Sequence, residues 1–454
     1  MAMKTALFLA AFLVSCLGAF WVPLAGILGY IGHYHLGPER QWWGESLAHM
    51  NIRFSFSLGL ATAIGIALNF SKLRFRQFLS GQEMLLLLML ALIWLSAMMS
   101  EPASMADEKL DHPAVKITKV ILFCMMLTHV VTNLRSFNLV MWTIVLGAFS
   151  LGWQTWTAPQ SAFTACRIET VGGVDFVEVN GLGAYLAAML PLIAMRFLQS
   201  RWKGKLLCAA AGAFVANGIV LTRSRGAFVG VMVCLALAAL MAPRKYRGRI
   251  AIGVILGACG MFYLIDPGYM NRAQTISFNK SELDASAANR LEIWSASLKM
   301  LSDKPQGVGV GNFIASIGQY DATQKNRDAH NIFVRCWGEL GIQGFTVFVL
   351  LILNALHILR RLMKQARFLD EPNRSGLTYG CYGLLLCLIT LLTCGMTVTL
   401  LYTEALWWLL ALPVCLQRVY ENMLAQNPLS QPLAAESARI VACSSPQPIA
   451  ARLS

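Results

Sequence analysis

Charged residues are scarce in this chain. They make up 13% of its 454 residues, whereas 57% are hydrophobic, and the mean hydropathy is +0.57. Soluble domains usually carry about 25% charged residues, so the shortage excludes an ordinary soluble globular protein. The composition therefore predicts an all-α, polytopic membrane protein.

Disulfide chemistry is not indicated either, although the chain has 12 cysteines. Nearly all of them lie inside apolar runs, where a thiol behaves as a small hydrophobic side chain. Cys166 is the exception, in a predicted outer loop. A single outer cysteine gives no disulfide framework, and no internal repeat is visible.

Apolar runs fill most of the sequence. A helix that crosses a bilayer needs roughly 20 apolar residues, and about twelve runs approach that length. The first of them contains Pro23 and is open to being two short segments, and the last two are separated only by the polar region 397–404. The candidate spans are 5–31, 54–70, 83–100, 115–133, 137–155, 179–197, 206–222, 226–242, 249–265, 330–356, 376–395 and 398–416.

Basic residues fall in every second gap between these runs, which is the pattern of cytoplasmic loops. The basic gaps contain Lys72, Arg74 and Arg76; Arg135; Arg201, Lys203 and Lys205; Arg244, Lys245, Arg247 and Arg249; and Arg360, Arg361, Lys364 and Arg367. Both termini are therefore predicted to be cytoplasmic. The net charge of +14 is largely this topology signal, so nucleic-acid binding is not predicted.

The same pattern divides the chain into four parts. Residues 1–265 are predicted to form N-terminal transmembrane helices, and 266–329 an outer loop segment with amphipathic helices. Residues 330–420 return to transmembrane helices. The last part, 421–454, is rich in Ala, Ser, Pro and Gln, and its composition predicts a disordered cytoplasmic tail.

Two arginines stand in a very short gap between spans on the predicted outer face. Arg223 and Arg225 occur in the sequence Thr-Arg-Ser-Arg-Gly, residues 222–226. The gap is too short for a solvated loop, so it holds both guanidinium groups at the membrane surface, where Arg matches phosphate oxygens bidentately. The alternative is that they extend to lipid headgroups without any other role.

The outer segment contains an amphipathic stretch, 286–302. Leu291, Trp294, Leu298 and Leu301 recur at helical spacing, which predicts a helix lying flat at the membrane interface. Arg290 lies in its first turns and is either a ligand-binding cation or a solvated surface residue. The glycine-rich stretch 305–312 follows, but it lacks the strand–loop–helix context of a nucleotide site.

The last outer residues form a polar cluster at the start of the next span. His330 lies at its boundary, where a neutral imidazole can accept a proton near pH 7; an interfacial histidine without catalytic function is the alternative. Asn331, Arg335 and Glu339 recur every four residues and form a polar stripe descending into the membrane. Arg335 and Glu339 can pair, which predicts a structural role for both.

These motifs together resemble those of the O-antigen ligase superfamily of bacterial inner-membrane glycosyltransferases. Their order and spacing agree with the family over roughly 220–345, although each motif alone is short. The matching segments are Thr-Arg-Ser-Arg-Gly at 222–226, Asn-Arg-Leu-Glu-Ile-Trp at 289–294, 307–313, Ala-His-Asn at 329–331, and Gly-Glu-Leu-Gly at 338–341.

The resemblance implies a reaction and a location. Such enzymes take a glycan from undecaprenyl pyrophosphate on the periplasmic side of the inner membrane and join it to an acceptor hydroxyl. In the ligase branch the acceptor is a sugar of the lipid A core. The alternatives are a polymerase or a protein O-oligosaccharyltransferase with the same donor and, more remotely, a transporter of a lipid-linked anion.

The resemblance also suggests roles for individual residues. Arg225 and Arg290, supported by Arg223, are expected to bind the pyrophosphate, replacing the metal of many other transferases. His330 is the expected general base, with Asn331 orienting it or the glycan, and direct displacement inverts the anomeric carbon. No Asp-rich metal motif is visible in the predicted outer loops, so neither a metal nor another cofactor is expected.

Two lysines extend the list of candidates. Lys116 and Lys119, near the outer end of the 115–133 run, are expected to add positive field for the lipid phosphate. The alternative is that they extend to the membrane surface as ordinary interfacial lysines.

Overall fold

The computed structural model describes residues 2–73, 77–100, 112–164, 167–168, 171–264 and 285–426. In these residues the chain is almost entirely α-helical, as the composition predicts, with one short antiparallel hairpin of strands β1 (Phe163–Thr164) and β2 (Arg167–Ile168). The helices are α1 (Ala2–Trp21), α2 (Pro23–Leu36), α3 (Glu45–His49), α4 (Phe54–Leu68), α5 (Gly81–Met99), α6 (Pro113–Val130), α7 (Leu134–Trp156), α8 (Val179–Gln199), α9 (Trp202–Thr222), α10 (Arg225–Leu240), α11 (Arg247–Leu264), α12 (Ala285–Asp303), α13 (Phe313–Ser316), α14 (Ile332–Gln365), α15 (Asn373–Gly395) and α16 (Glu404–Gln426).

The predicted count of twelve spans is not confirmed. Within the described residues, eight helices are long and apolar enough to cross a membrane by themselves. Helices α10 and α11 meet that condition only as a pair, bent by 102° at the break between them, and α4 is shorter. The structure thus supports a multi-pass membrane protein with eight such helices, or nine if the bent pair is one span.

The structure decides one alternative and corrects one boundary of the sequence prediction. The first apolar run is divided into α1 and α2 at Val22, whose extended backbone precedes Pro23 at the start of α2; proline is preorganised for a first helical position. At the other end, residues 421–426 continue α16, so this part of the predicted tail is helical. The remaining tail, like 265–284 of the predicted outer segment, lies outside the described residues.

Helix α14 is interrupted at Gly341, which has a left-handed φ of 65° and a ψ of −167°. A Cβ atom there would collide with the backbone of Gln306, so only glycine fits. Because of the break, the carbonyl groups of Gly338 and Glu339 can accept hydrogen bonds from donors outside the helix. The amide groups of Val308 and Gly309 bond to them at 2.9 and 3.1 Å, which fixes the glycine-rich stretch against the break.

The sequence motifs meet at one end of the helical bundle. Helix α9 ends, and α10 begins, in the turn 222–226, and a Cβ atom on Gly226 would collide with Thr397 at the end of α15. A Cβ atom on Gly395, in the last turn of α15, would lie 3.0 Å from Ile332, the first residue of α14. We call this region, where 222–226 and 330–332 lie, the motif end.

The basic connections lie at the opposite end. Helices α9, α10 and α14 each have one terminus at the motif end, and their other termini adjoin the basic segments 201–205, 244–249 and 360–367. A buried ion pair closes this end of the bundle. Arg418 of α16 contacts Glu83 of α5 at 2.8 Å, and the Thr128 hydroxyl of α6 donates to the same carboxylate at 2.6 Å.

Large apolar side chains fill the interior of the bundle. Trp407, Tyr382, Phe123, Phe137 and Phe348 are each less than 2% exposed. Because lipid tails are as apolar as these side chains, close packing rather than hydrophobic transfer holds transmembrane helices together. The packed interior thereby fixes the helix ends that carry the polar motifs.

Candidate active site

The turn 222–226 presents its two arginines between buried hydroxyl residues. Arg223 ends α9 in a left-handed conformation, with φ 48° and ψ 35°. Ser224 caps α10, because its hydroxyl accepts from the Ala227 amide at 3.4 Å. Thr222 and Ser224 are fully buried, whereas Arg223 and Arg225 are only half-buried. The structure therefore places both arginines, partly exposed, at the motif end.

A further arginine, which the sequence analysis missed, braces this turn. Arg167 of β2 donates through Nε to the Thr222 carbonyl at 3.0 Å and through Nη2 to Asn180 Oδ1 at 2.7 Å. Asn180 in turn donates to Glu178 at 2.6 Å. The Thr222 carbonyl is one of the groups left without a partner at a helix end, so Arg167 fixes the backbone that carries Arg223. Residues 55 positions apart leave no local sequence signal for such a contact.

His330 and Asn331 form the entrance to α14. Asn331 is the buried N-cap, and its Oδ1 accepts from the amides of Phe333 and Val334 at 2.9 and 3.2 Å. His330 is partly exposed and has a φ of 44°. A left-handed backbone is uncommon outside glycine and is concentrated at functional sites. The predicted orienting role of Asn331 stays a prediction, but its side chain is already engaged in capping the helix.

Helix α12 confirms the predicted helix at 286–302. Of the predicted apolar stripe, Leu291 and Leu298 are exposed, and their place at the membrane interface stays a prediction. The helix also has a buried side formed by Ile293, Ala296 and Met300, which belong to a small apolar core that Trp294 of the stripe packs against. The sequence analysis missed this second, protein-facing side.

Arg290 lies one turn before Trp294, which contacts the segment 329–331 around His330. We call 329–331 the histidine segment. Trp294 donates through Nε1 to the Ala329 carbonyl at 3.0 Å, and Ala329 directly precedes His330. Arg290 itself is half-buried. The structure thus brings the helix of Arg290 against the histidine segment, while its predicted pyrophosphate contact stays a prediction.

The ion pair between Arg335 and Glu339 is present. Arg335 Nε lies 2.5 Å from Glu339 Oε1, and Arg335 Nη1 lies 2.5 Å from Asp328 Oδ1. The Tyr402 hydroxyl donates to the second Glu339 oxygen, and the Phe313 amide donates to the first at 3.3 Å. Arg335 and Glu339 are buried, so this network joins α14 to the outer segment and to the connection before α16.

Asp328 links the network to His330. Its Oδ1 also accepts from the Ala329 amide at 2.8 Å. Burial by itself raises the pKa of this carboxyl, but the positive charge of Arg335 is the largest of the contributions that bring the net pKa below its usual value. Asp328 is therefore a carboxylate at neutral pH, held beside the histidine segment. The sequence analysis missed both Asp328 and Tyr402.

The comparison with known proteins agrees with the positions of these motifs. Residues 210–349 match a family model described as O-antigen ligase. Residues 210–349 form an O-antigen ligase family domain. This domain contains the arginine turn, α12 and the first half of α14. No curated protein matches the chain.

The match indicates the coarse function at the level of this domain. O-antigen ligase family proteins are membrane glycosyltransferase-like enzymes, either ligases or polymerases. Their substrates are, in general, lipid-linked glycans and lipid acceptors. The sequence-based recognition over roughly 220–345 is confirmed, and the chain is a multi-pass membrane protein of this enzyme class.

The two candidate lysines lie on α6, outside the O-antigen ligase domain. Lys116 forms an ion pair with Asp175, which also accepts from the Tyr34 hydroxyl at 3.0 Å and from the Glu404 amide at 2.8 Å. Asp175 therefore neutralises much of the Lys116 charge, which favours a structural role. Lys119 lies one turn further along α6, and the roles predicted for both lysines stay predictions.

Asp328 and Glu339, the two carboxylates of the buried network, are engaged with Arg335 rather than gathered at a metal site. In the part of the chain that the structure describes, no group of three or more His, Cys, Asp or Glu side chains is arranged to hold a metal ion. The expected metal independence stays a prediction, for which a direct test is given below.

The buried network makes a strong prediction about folding. Replacing Arg335 by alanine leaves Glu339 and Asp328 without their cation, and removing one partner of a buried ion pair costs about 3–5 kcal/mol. We expect the purified Arg335→Ala protein to unfold at a clearly lower temperature in detergent, measured by size-exclusion chromatography after heating. Arg327→Ala, which removes an exposed arginine of the same segment, is the control. Equal melting of the two variants would show that the pair contributes little.

Proposed function

We propose that this protein is an O-antigen ligase that transfers a glycan from undecaprenyl pyrophosphate to a hydroxyl of the lipid A core oligosaccharide. The observation that carries the proposal is the convergence at the motif end. There, the arginine turn and the Arg290 helix lie at the end of the bundle where His330 precedes the N-cap of α14. Such an arrangement provides cations for an anionic leaving group and a proton acceptor for the attacking hydroxyl.

In this proposal, the arginines stabilise the leaving group. As the bond between the anomeric carbon and the pyrophosphate oxygen breaks, negative charge develops on the pyrophosphate. Preorganised cations stabilise developing charge most effectively, and guanidinium groups bind phosphate oxygens in pairs of hydrogen bonds. We assign this task to Arg225 and Arg290, with Arg223 as support.

In this proposal, His330 activates the nucleophile, which is the acceptor hydroxyl. Its imidazole accepts the proton of the acceptor hydroxyl while the hydroxyl oxygen forms a bond to the anomeric carbon. The products are the glycosylated acceptor, undecaprenyl pyrophosphate and protonated His330, which then returns its proton to water. Because displacement occurs from the side opposite the leaving group, the anomeric configuration is inverted.

Orientation follows from the charge distribution. The basic segments lie at the end opposite the motif end, and basic loops are retained on the cytoplasmic side. We therefore propose that the motif end faces the periplasm from the bacterial inner membrane, with the end of α16 cytoplasmic. The start of α1 lies at the motif end, because Thr5 donates to the Trp43 carbonyl at 2.8 Å and Tyr34, near the end of α2, donates to Asp175 beside Glu404. The cytoplasmic N-terminus expected from the sequence is therefore not part of this proposal. The periplasmic face is where a lipid-linked glycan and a lipid A core would meet.

The experiment that tests the proposed function is the lipopolysaccharide gel profile of a strain lacking the gene, with lipid-linked glycan measured in parallel. We expect bare core and an accumulation of long lipid-linked chains. Core carrying a single repeat unit would instead identify a polymerase. An unchanged profile would exclude lipid A core as the acceptor and favour a protein or exopolysaccharide acceptor.

Metal independence is tested with the purified protein. If arginines alone stabilise the pyrophosphate, we expect transfer in excess EDTA to proceed at about the untreated rate, measured as donor glycan joined to core-bearing acceptor. A fall in rate that added Mg²⁺ or Mn²⁺ reverses would refute the metal-free mechanism. Consumption of the lipid-linked donor in the same assay also excludes a transporter, which leaves that bond intact.

A further inference from the structure

A cavity of about 520 Å³ lies beside the break in α14. Its apolar wall is the last part of α5, with Leu92, Leu95 and Met99, and its polar wall comes from the outer segment and from Gln343. Its volume is within the range of about 300–1,000 Å³ that is usual for small-molecule sites. Neither Arg223, Arg225, Arg290 nor His330 lines it.

The cavity is held open by close backbone packing. Gly307 and Gly309 have left-handed φ values of 89° and 101°. A Cβ atom on Gly307 would collide with the Glu339 carbonyl, and one on Gly309 would collide with Ser100. Two glycines are thus needed for the loop to approach α5 and α14 closely, so the cavity is built into the fold.

One residue connects this cavity to the active-site network. The Glu339 carbonyl accepts from the Gly309 amide at 3.1 Å and from the Ser96 hydroxyl at 3.2 Å. The Glu339 carboxylate is bound by Arg335. The wall of the cavity and the histidine segment are therefore attached to the same turn of α14.

The lining indicates the chemistry of the ligand. Gln306, Gln319 and Gln343 contribute carboxamides, each able to donate and to accept, as sugar hydroxyl groups also do. Among the described residues that line the cavity, Lys304 is the one cation, and none is acidic or an arginine. A pyrophosphate is better matched by the arginines of the motif end, whereas amides beside an apolar wall suit sugar rings, which have hydroxyl edges and C–H faces.

We propose that this cavity is a carbohydrate subsite, which binds sugar residues of one of the two glycan-bearing substrates. The inference rests on the proposed function, because that function supplies a glycan both on the donor and on the acceptor. The shared chemistry is a neutral or weakly anionic oligosaccharide attached to a lipid, with the sugars against the glutamines.

The test fills the cavity without touching the proposed catalytic residues. Ala315 is a small, half-buried lining residue, so Ala315→Trp places an indole in the space for sugar. Ala322→Trp, at an exposed position of the same outer segment, is the matched control. Gln319→Ala, which removes an exposed lining amide without adding bulk, is the second variant. Each full-length protein is first checked for a single symmetrical elution peak.

Binding is measured for four probes in nanodiscs: lipid A with core sugars, lipid A alone, undecaprenyl pyrophosphate with its glycan, and undecaprenyl pyrophosphate alone. We expect Ala315→Trp to raise the Kd for one sugar-bearing probe about tenfold, equivalent to about 1.4 kcal/mol, and to leave its sugar-free partner unchanged. Gln319→Ala should raise the same Kd by a smaller factor. The lipid whose sugar-bearing probe shows the change in Kd tells whether the subsite binds acceptor sugars or donor sugars.

Two results overturn the subsite: unchanged Kd values for both sugar-bearing probes in the two cavity variants, or equal weakening of the sugar-free lipids. Failure of the proposed function has a different signature. The wild-type protein would then bind the sugar-bearing probes and show cavity-dependent affinity, yet would join no glycan to core-bearing lipid A.

Discussion

Replacing His330 by alanine is expected to slow glycan transfer by about 10²–10⁴-fold, the usual contribution of a positioned general base. Without the imidazole, the acceptor hydroxyl has no proton acceptor as its oxygen approaches the anomeric carbon. The rate is measured in single turnover with purified protein, saturating donor and core-bearing acceptor. Donor binding should change little, because the arginines bind the pyrophosphate.

Two further variants separate chemistry from structure. His330 has a left-handed backbone, which asparagine tolerates far better than alanine, so His330→Asn preserves the fold and still lacks a base. We expect it to be as inactive as His330→Ala. His357→Ala removes an exposed histidine of α14, the helix that follows His330, and should keep full activity. Near-normal transfer by His330→Asn would remove His330 from the mechanism.

The second large effect is expected at Arg225. Its replacement by alanine removes one of the cations assigned to the leaving pyrophosphate, and the loss of one such preorganised donor costs about 10²–10³ in rate. Arg225→Lys should recover only part of the activity, since lysine keeps the charge but not the paired hydrogen bonds. The measurement is kcat/KM for the lipid-linked donor.

The control for Arg225 is Arg201→Ala, at an exposed position beside the opposite end of α9. It changes the net charge equally but lies at the basic end of the bundle. The assignment of Arg225 would be contradicted if both variants transferred glycan at similar rates. A loss confined to the acceptor KM would also contradict it, because the guanidinium is assigned to the donor.

The sequence predicted those features that depend on short-range spacing. The ion pair of Arg335 and Glu339 follows from four-residue spacing on one helix, and α12 follows from helical periodicity. Asp328 and Tyr402 complete the same network from a loop and from a connection 63 residues beyond Glu339. Arg167 likewise reaches Thr222 across 55 residues. No local pattern encodes such contacts.

Hydropathy predicted one apolar side of α12 and missed the other. Leu291 and Leu298 of the predicted stripe are exposed, while Ile293, Ala296 and Met300 pack against neighbouring segments. Periodicity selected the larger side chains, and the smaller apolar residues between them gave no separate signal. The interruption at Gly341 was missed for a related reason: an average over an apolar run cannot register one residue with a left-handed backbone.

The interruption at Gly341 separates the charged first turns of α14, with Arg335 and Glu339, from the part of the helix that crosses the membrane. The part between the break and the basic segment, residues 342–359, is about 27 Å long at about 1.5 Å per residue, and its about 18 residues lie within the roughly 17–25 that a transmembrane helix needs. This part alone suffices to cross the bilayer. Arg335 and Glu339 precede the break, so neither charge has to enter hydrocarbon. The helix can be inserted as an ordinary apolar span, and its charged first turns can fold against the outer segment afterwards.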